Sequence, residues 1–238
     1  MYLEPGSTGW HRERQKGIGG SDLSAMFGLS RFDTPLGLWE LKTNRRLCNP
    51  GGPAAQRGTR LEPYVCRRFT EETGIELSPA PQFVRHPRWD EGVRLLANPD
   101  RMLDGALGGL VFEAKTTSEG SSTHRLYDAG QVPPQHMLQL QHYAVSLGVS
   151  GGVISCLICP NGTIIDPDTQ CQSVHLRWRR SETVGQIIET SVRRWWSTWV
   201  EADRAPDYLR HPKTSELLAA MAAESWIDEY PRSGHQYA

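Results

Sequence analysis

The stretch Arg94-Leu95-Leu96-Ala97-Asn98-Pro99-Asp100, followed by Leu110-Val111-Phe112-Glu113-Ala114-Lys115, decides how the chain is read. Residues 94–97 and 110–115 both read as strands. Asp104-Gly105 and Gly108-Gly109 between them are turn signals, so the pair predicts a hairpin. Side chains alternate across a strand, so Val111, Glu113 and Lys115 share one face while Leu110, Phe112 and Ala114 face a core. Asp100, at the end of the partner strand, is expected to meet Glu113 across the hairpin. Two adjacent carboxylates repel unless they share a cation, and oxygen donors of this kind suit Mg²⁺ or Mn²⁺. Metal held by Asp100 and Glu113 lowers the pKa of bound water and polarises a phosphate, while Lys115 orients that water and stabilises the developing negative charge. Taken alone, Glu-x-Lys is a common pattern and is equally a surface ion pair.

Working outward, the chain alternates helical and extended segments. Upstream, Ser21 to Phe27 predicts a short helix capped by Ser21 and ended by Gly28. Thr34-Pro35 opens another, carrying Leu38, Trp39 and Leu41. Residues 54–73 carry a helical stripe of Leu61, Val65 and Phe69, with a kink or restart expected at Pro63. Downstream, Pro133 starts a helix that ends near Gly148. Met137, Leu140, Ala144 and Leu147 form its apolar stripe, and Gln135, Gln139, His142 and Ser146 a polar one. Strands follow at about 153–159, 163–165 and 173–178. Ser181 then caps a helix reaching Val200, whose Trp195, Trp196 and Trp199 read as core. A short helix at about 215–227 and a frayed polar end complete the chain. The fold class is α/β, with a mixed α+β sheet flanked by helices. The expected division is a main domain over 1–206 and a C-terminal helical appendage with a flexible tail over 207–238.

Composition sets bounds. The 238 residues, 38% hydrophobic and 22% charged, suit one large domain. No run approaches the roughly 18 apolar residues that span a bilayer, and residues 1–16 lack a signal peptide's apolar core, so the cytoplasm is expected. The net charge of −1 means that any DNA contact rests on local patches. The candidates are Lys42/Arg45/Arg46, Arg57/Arg60/Arg67/Arg68, Arg177/Arg179/Arg180 and Arg193/Arg194, each equally readable as a solvated face. Cys156 and Cys159 form a Cys-x-x-Cys, but on a strand their sulfurs point to opposite faces. They are expected to be buried structural cysteines rather than a zinc, redox or iron–sulfur site.

Three further features accompany the Asp100/Glu113/Lys115 set. Glu62 lies one helical turn after Gly58, which leaves room beside a third acidic ligand. Gln139, on the polar stripe, is placed to hold Lys115 or a phosphate. Trp10, Arg14 and Ser21 set a guanidinium shortly before a helix N-terminus, where a phosphate is favoured. Each feature also has an ordinary structural reading.

Together, Trp10…Arg14…Gly20-Ser21-Asp22, Gly58-x-x-x-Glu62, Pro99-Asp100, Glu113-x-Lys115 and Gln139-x-Gln141 resemble the YqaJ-type phage recombinase nucleases. That is the family of lambda exonuclease within the PD-(D/E)XK superfamily. The resemblance implies a restriction-endonuclease-like core, with Asp100 and Glu113 holding Mg²⁺ (two ions per site), Glu62 assisting, Lys115 activating water and Gln139 supporting the site. It implies that Arg14 and Ser21 contact a terminal 5′-phosphate. It further implies 5′-to-3′ digestion of one strand of linear duplex DNA, a single-strand annealing partner and a homo-oligomer, with a trimer favoured. Two alternatives stand beside it: an endonuclease or Cas4/RecB-like repair nuclease of the same superfamily, and an inactive DNA-binding protein on the same fold. The resemblance runs from residue 10 to 141 and is not specific beyond Gly148.

Overall fold

The computed structural model describes residues 3–47, 52–104, 109–162, 166–224 and 227–229. Its centre is β6 (Gly151–Cys159), buried at all 9 residues. A strand buried on both faces must be apolar on both, and Val153-Ile154-Ser155-Cys156-Leu157-Ile158-Cys159 meets that demand with a single serine. β5 (Val111–Ser118) lies parallel to β6 on one side, and β7 (Gln172–Arg179) antiparallel on the other. Beyond β5 come β4 (Arg101–Leu103) and β1 (Leu77–Pro79); beyond β7 comes β8 (Ile227–Glu229). The result is a 6-stranded mixed sheet in the order β1-β4-β5-β6-β7-β8. The β5–β6 contact is close enough to require glycine, because a Cβ on Gly152 would stand 1.9 Å from the Val111 carbonyl oxygen.

The parallel pair needs a crossover, which α5 (Ser122–Asp128) and α6 (Pro134–Leu147) supply. Alternation on β5 and β6 then builds two cores. Phe112, Val153, Leu157 and Cys159 pack beneath Leu61, Val65 and Phe69 of α4 (Pro53–Thr73). Val111, Ile154, Cys156 and Ile158 face the larger core, with α2 (Gly20–Met26), α6 and α8 (Glu182–Trp195). Cys156 and Cys159 therefore point apart, as expected. Cys159 is paired in a disulfide with Cys171, and Cys156 is a free buried thiol. Trp195, Trp196 and Trp199 are core residues.

Several expectations are corrected. The strand beside β5 is β4, not residues 94–97. Leu96–Ala97 forms β3, which pairs with β2 (Val84–Arg85) in a separate ribbon. Part of the predicted turn, 105–108, and the predicted strand 163–165 lie outside the described residues. α4 runs as one 21-residue helix through Pro63 rather than restarting there. The polar stripe of α6 is divided: Gln135 and Gln139 are half-buried, whereas His142 is 0% and Ser146 2% exposed. His142 Nε2 instead donates to the Ile18 carbonyl at 2.9 Å. Gln141 ties the ends of two neighbouring segments, donating to the Arg179 carbonyl at 2.7 Å and accepting from the Ser181 N–H at 2.8 Å. Residues 227–229 add β8 to the sheet, and residues 230–238, the rest of the end expected to fray, lie outside the described residues. α9 (Thr214–Glu224) sets Leu217 and Met221 into the larger core. No helix of the described residues is long and apolar enough to cross a membrane.

The N-terminal segment also differs in detail. α1 (Thr8–Gln15) is capped by Ser7, so Arg14 sits in the last turn of a helix rather than in a loop. The cap of α2 is Gly19, which places Ser21 inside the helix as its second residue. The capping carboxylate is that of Asp22, which accepts the Gly19 N–H at 2.9 Å. α3 (Pro35–Lys42) starts as predicted, with the Thr34 hydroxyl accepting the Gly37 N–H at 3.0 Å.

Candidate active site

A cavity of about 490 Å³ opens where α1, α2, α4, β5 and α6 meet. Arg14, Ser21, Glu62, Asp100, Glu113, Lys115 and Gln139, all seven residues singled out from sequence, line it. Glu113 and Lys115 arrive together because they are i and i+2 on β5. The β4–β5 ladder ends at the Arg101–Phe112 pair, which frees the next inward-facing N–H of β5. That N–H, on Ala114, donates to Asp100 Oδ2 at 2.8 Å. The carboxylate of Asp100 is thereby fixed at the strand edge beside Glu113. This is how the two acids meet, rather than through pairing of residues 94–97.

One oxygen of Glu113 is well held. Its Oε1 accepts from Lys115 Nζ at 2.6 Å and from Gln139 Nε2 at 2.7 Å. Lys115 Nζ also donates to Gln139 Oε1 at 3.0 Å, so acid, lysine and amide form a closed triangle. Two residues that sequence reasoning missed support it. Tyr143, one turn beyond Gln139 on α6, accepts from Gln139 Nε2 at 2.7 Å and donates to the Asn98 carbonyl at 3.2 Å. Gly20 matters by lacking a side chain, since a Cβ there would stand 2.7 Å from Gln139 Cγ. The i,i+4 spacing of Gln139 and Tyr143 was a usable signal; Gly20 stands in the Gly20-Ser21-Asp22 motif, but its role is not legible there. Gly58 carries less weight than expected, because a Cβ there would meet only Thr116 Oγ1 at an ordinary 3.7 Å.

The electrostatics are unbalanced. Burial, together with repulsion from Asp100, pushes Glu113 up to about 8 despite the pull of Lys115. Burial also raises Asp100, although Lys115 and the Ala114 N–H act against it. Glu62 is raised by burial and by Asp100. Burial disfavours the charge on Lys115, but Glu113 and Asp100 outweigh it and hold the ammonium above its usual range. The second oxygen of Glu113, Oε2, is buried with no hydrogen-bond partner. An orphaned carboxylate oxygen beside a second and a third acid is costly without a cation. Asp100 and Glu113 therefore fit a divalent ion. Glu62 is less prepared: its carboxylate stands 3.4 Å from Arg101 Nη1, another residue the sequence did not flag. Among the described residues, no three acidic, histidine or cysteine side chains are already gathered to hold a metal.

At the other end of the cavity the balance is positive. Arg14 Nη2 donates to Ser21 Oγ at 3.1 Å and to Asp22 Oδ1 at 3.0 Å, and its guanidinium lies 4.8 Å from the centre of the Trp10 ring. Lys42 does not belong to a surface patch. It is buried, donating to Asp22 Oδ2 at 2.6 Å and to the Arg14 carbonyl at 2.8 Å. Two cations thus surround one acid. Most of the other basic patches are engaged internally: Arg45 with Asp203, Arg67 with Asp168, Arg68 with Glu72, Arg180 with Glu182 and Arg193 with Glu91.

Known proteins share this fold. An alkaline exonuclease from Laribacter hongkongensis, also solved in complex with dAMP, superposes with a TM-score of 0.59 at 18% identity, covering 91% of this chain and 99% of that one. A phage-related exonuclease from Haemophilus somnus 129PT gives 0.52 at 13% identity over 79% of this chain and 96% of its own. These likenesses establish a PD-(D/E)XK-type fold. The uncharacterized protein YqaJ of Bacillus subtilis (strain 168) is 36% identical over 143 residues, 60% of this chain, and the match spans 42% of that protein's length. Residues 9–150 match the YqaJ-like viral recombinase domain, a span that includes every residue of the cavity described above. The chain belongs to the YqaJ-like viral recombinase domain family.

Proposed function

We propose that this chain is a divalent-metal-dependent deoxyribonuclease that digests one strand of linear duplex DNA from its 5′ end, supplying 3′ tails for recombination by strand annealing. The observation that carries the reading is the unpartnered Oε2 of Glu113, set beside Asp100 and Glu62 in a cavity that also holds a fixed lysine. Asp100 and Glu113 would hold the ion, Mg²⁺ or Mn²⁺, with Glu62 joining once released from Arg101; a second ion is compatible with three acids. When bound, such an ion supplies Lewis acidity toward a phosphate oxygen and a more acidic water. Lys115 is held in place by Glu113 and Gln139, and its ammonium offers a fixed positive charge to the extra negative charge on phosphorus in the transition state. Gln139 and Tyr143 lock its direction. Arg14 and Ser21 stand at the positive end of the same cavity, where a doubly charged terminal phosphate is favoured over a singly charged internal diester.

The test is to incubate the protein with Mg²⁺ and either end-labelled linear duplex or covalently closed circles. Linear DNA shortens from its 5′ ends, circles survive and EDTA stops the reaction. Cutting of closed circles would favour the endonuclease alternative, and no metal-dependent degradation would favour a DNA-binding protein. An annealing-protein partner and a homo-oligomer, most simply a ring-shaped trimer around the duplex, complete the proposal. Enclosure would retain DNA on a chain of near-zero net charge. A stable monomer in light scattering would remove the ring without touching the chemistry.

A further inference from the structure

Beyond Trp195, α8 passes into a π-helical turn, Trp196–Glu201. Such turns shift which side chains a helix presents and recur at functional sites. Beside this one lies a second cavity of about 270 Å³, walled by the end of α8, the π turn and residues 207–213, with no lining residue in common with the catalytic cavity. Three polar atoms of its lining residues are buried without a hydrogen-bond partner: Ser191 Oγ, Trp195 Nε1 and the Tyr208 hydroxyl. Ser191 and Trp195 are each 1% exposed. The Tyr208 hydroxyl sits near enough to the indoles of Trp195 and Trp199 to feel their N–H groups, yet it completes no hydrogen bond with either.

Every one of these groups can donate, and an indole can only donate. His211 adds another donor. Its Nδ1 accepts the Lys213 N–H at 3.1 Å, which leaves the ring proton on Nε2. Burial, with Arg194 and Lys213 nearby, holds that ring neutral down to about 4. Arg194 is exposed at the rim and has no acidic partner among the described residues. Asp207, the one acid in the lining, stands 4.0 Å from Arg204. Trp199, Tyr208 and His211 meet edge to face, at 5.9 Å between Trp199 and Tyr208 and between Tyr208 and His211. The site thus combines aromatic surface, several unanswered donors and a free guanidinium. An oxygen-rich anion joined to an aromatic body would satisfy all three.

We propose that this cavity is a second nucleotide site, with the base against Trp199 and Tyr208 and the phosphate on Arg194. The ligand is either a free mononucleotide or one unit of a single DNA strand; the choice of nucleotide rests on the nuclease reading above. Ordered water would answer the same buried donors without any ligand, and the experiment separates the two. Calorimetric titration of the full chain in EDTA, where cleavage is off, uses dTMP in one arm and a short single-stranded oligothymidylate in the other. Two sites per chain are expected in at least one arm. Arg194→Ala and Tyr208→Phe each weaken one of them at least about tenfold, and Arg14→Ala weakens only the other. Arg194→Ala leaves cleavage of a short duplex in Mg²⁺ unchanged. Binding in the dTMP arm identifies a free nucleotide as sufficient; binding in the oligonucleotide arm alone identifies a strand. A single site abolished by Arg14→Ala, or Arg194→Ala and Tyr208→Phe isotherms that superpose on the wild type, would overturn the proposal. Because the isotherm needs no catalysis, its failure and a failure of the nuclease reading are read separately.

Discussion

Two clusters of acid and base border the same cavity, and they have been built to opposite ends. Around Asp22, two cations and a backbone N–H surround one carboxylate: Lys42, Arg14 and Gly19. Burial alone would raise Asp22, but Lys42 and Arg14 outweigh it and bring the carboxyl down to about 2. Around Lys115 the ratio is reversed. Three acids share the half-buried Lys115 and the half-exposed Arg101, one oxygen has no partner, and Glu113 rises to about 8. A satisfied cluster fixes α1, α2 and α3 to one another. An unsatisfied one retains an affinity for something that is not protein. Both kinds cost desolvation, so the difference lies in whether the chain supplies the compensating charge itself.

This contrast is open to direct attack. The largest effect should come from the satisfied cluster. Asp22→Asn strands the buried Lys42 ammonium, a loss of about 3–5 kcal/mol in stability, read as a large drop in melting temperature. Glu113→Gln, by contrast, should leave the melting temperature in EDTA unchanged or raised. Equal losses in the two variants would erase the distinction.

Activity should divide the other way. Asp100→Asn, Glu113→Gln and Lys115→Ala each reduce Mg²⁺-dependent cleavage at least roughly a hundredfold, about 3 kcal/mol of barrier, with the fold retained by circular dichroism. Near-normal turnover in any one of them would show the site to be misplaced. Glu62→Ala and Gln139→Ala should give smaller but clear losses. Arg14→Ala should still degrade linear duplex while losing most of the preference for 5′-phosphorylated over 5′-hydroxyl ends, measured on paired substrates.

A weaker effect is the response to pH, and its sign differs between the clusters. Asp22 has a folded pKa below its unfolded value, so its contribution is present above about 4 and is lost as pH falls toward about 2. Glu113 has a folded pKa above its unfolded value, so in EDTA its contribution is present below about 4.5 and is lost as pH rises toward about 8. Melting curves in EDTA from pH 5 to 8 should therefore decline with a slope that Glu113→Gln removes. His142 and His211, both held near 4 by burial, add an acid-side loss as pH falls from about 6.5 to 4. Wild-type and Glu113→Gln slopes that agree in EDTA would count against a strained acid at that position.

Much of this was legible in the sequence, and the exceptions share a cause. The period of two in 110–115, the helix ending at Gly148 and the Trp stripe of α8 are local patterns, and the structure keeps them. The seven candidate residues that line one cavity could be listed before their geometry was known, because motif spacing on single elements survives folding. What failed was anything that depends on a distant partner. Lys42 reads as a surface cation until Asp22, 20 residues away, is placed beside it. His142 and Ser146 read as part of a polar stripe until packing buries that part of α6. Residues 94–97 and Arg101–Leu103 compete for the same edge of β5, and no local signal ranks them. Ser21 is a plausible cap by residue type, but the helix begins at Gly20, so Gly19 is the cap and Asp22, third in the helix, accepts its N–H.

The parallel pairing of β5 with β6 has a consequence in time. Each residue of β5 finds its partner 41 positions later in the chain, from Val111 with Gly152 to Ser118 with Cys159. Glu113 and Lys115 therefore have no neighbour on that side until residues 151–159 have left the ribosome. At about 5–20 residues per second, the interval between synthesis of the two strands is several seconds. During that interval Glu113 and Lys115 sit on a strand paired only on its β4 side, open to water along the edge that β6 later covers. On the nuclease reading proposed above, a nascent chain stays inactive until its central strand is in place, and any truncation ahead of residue 151 should be inert for the same reason.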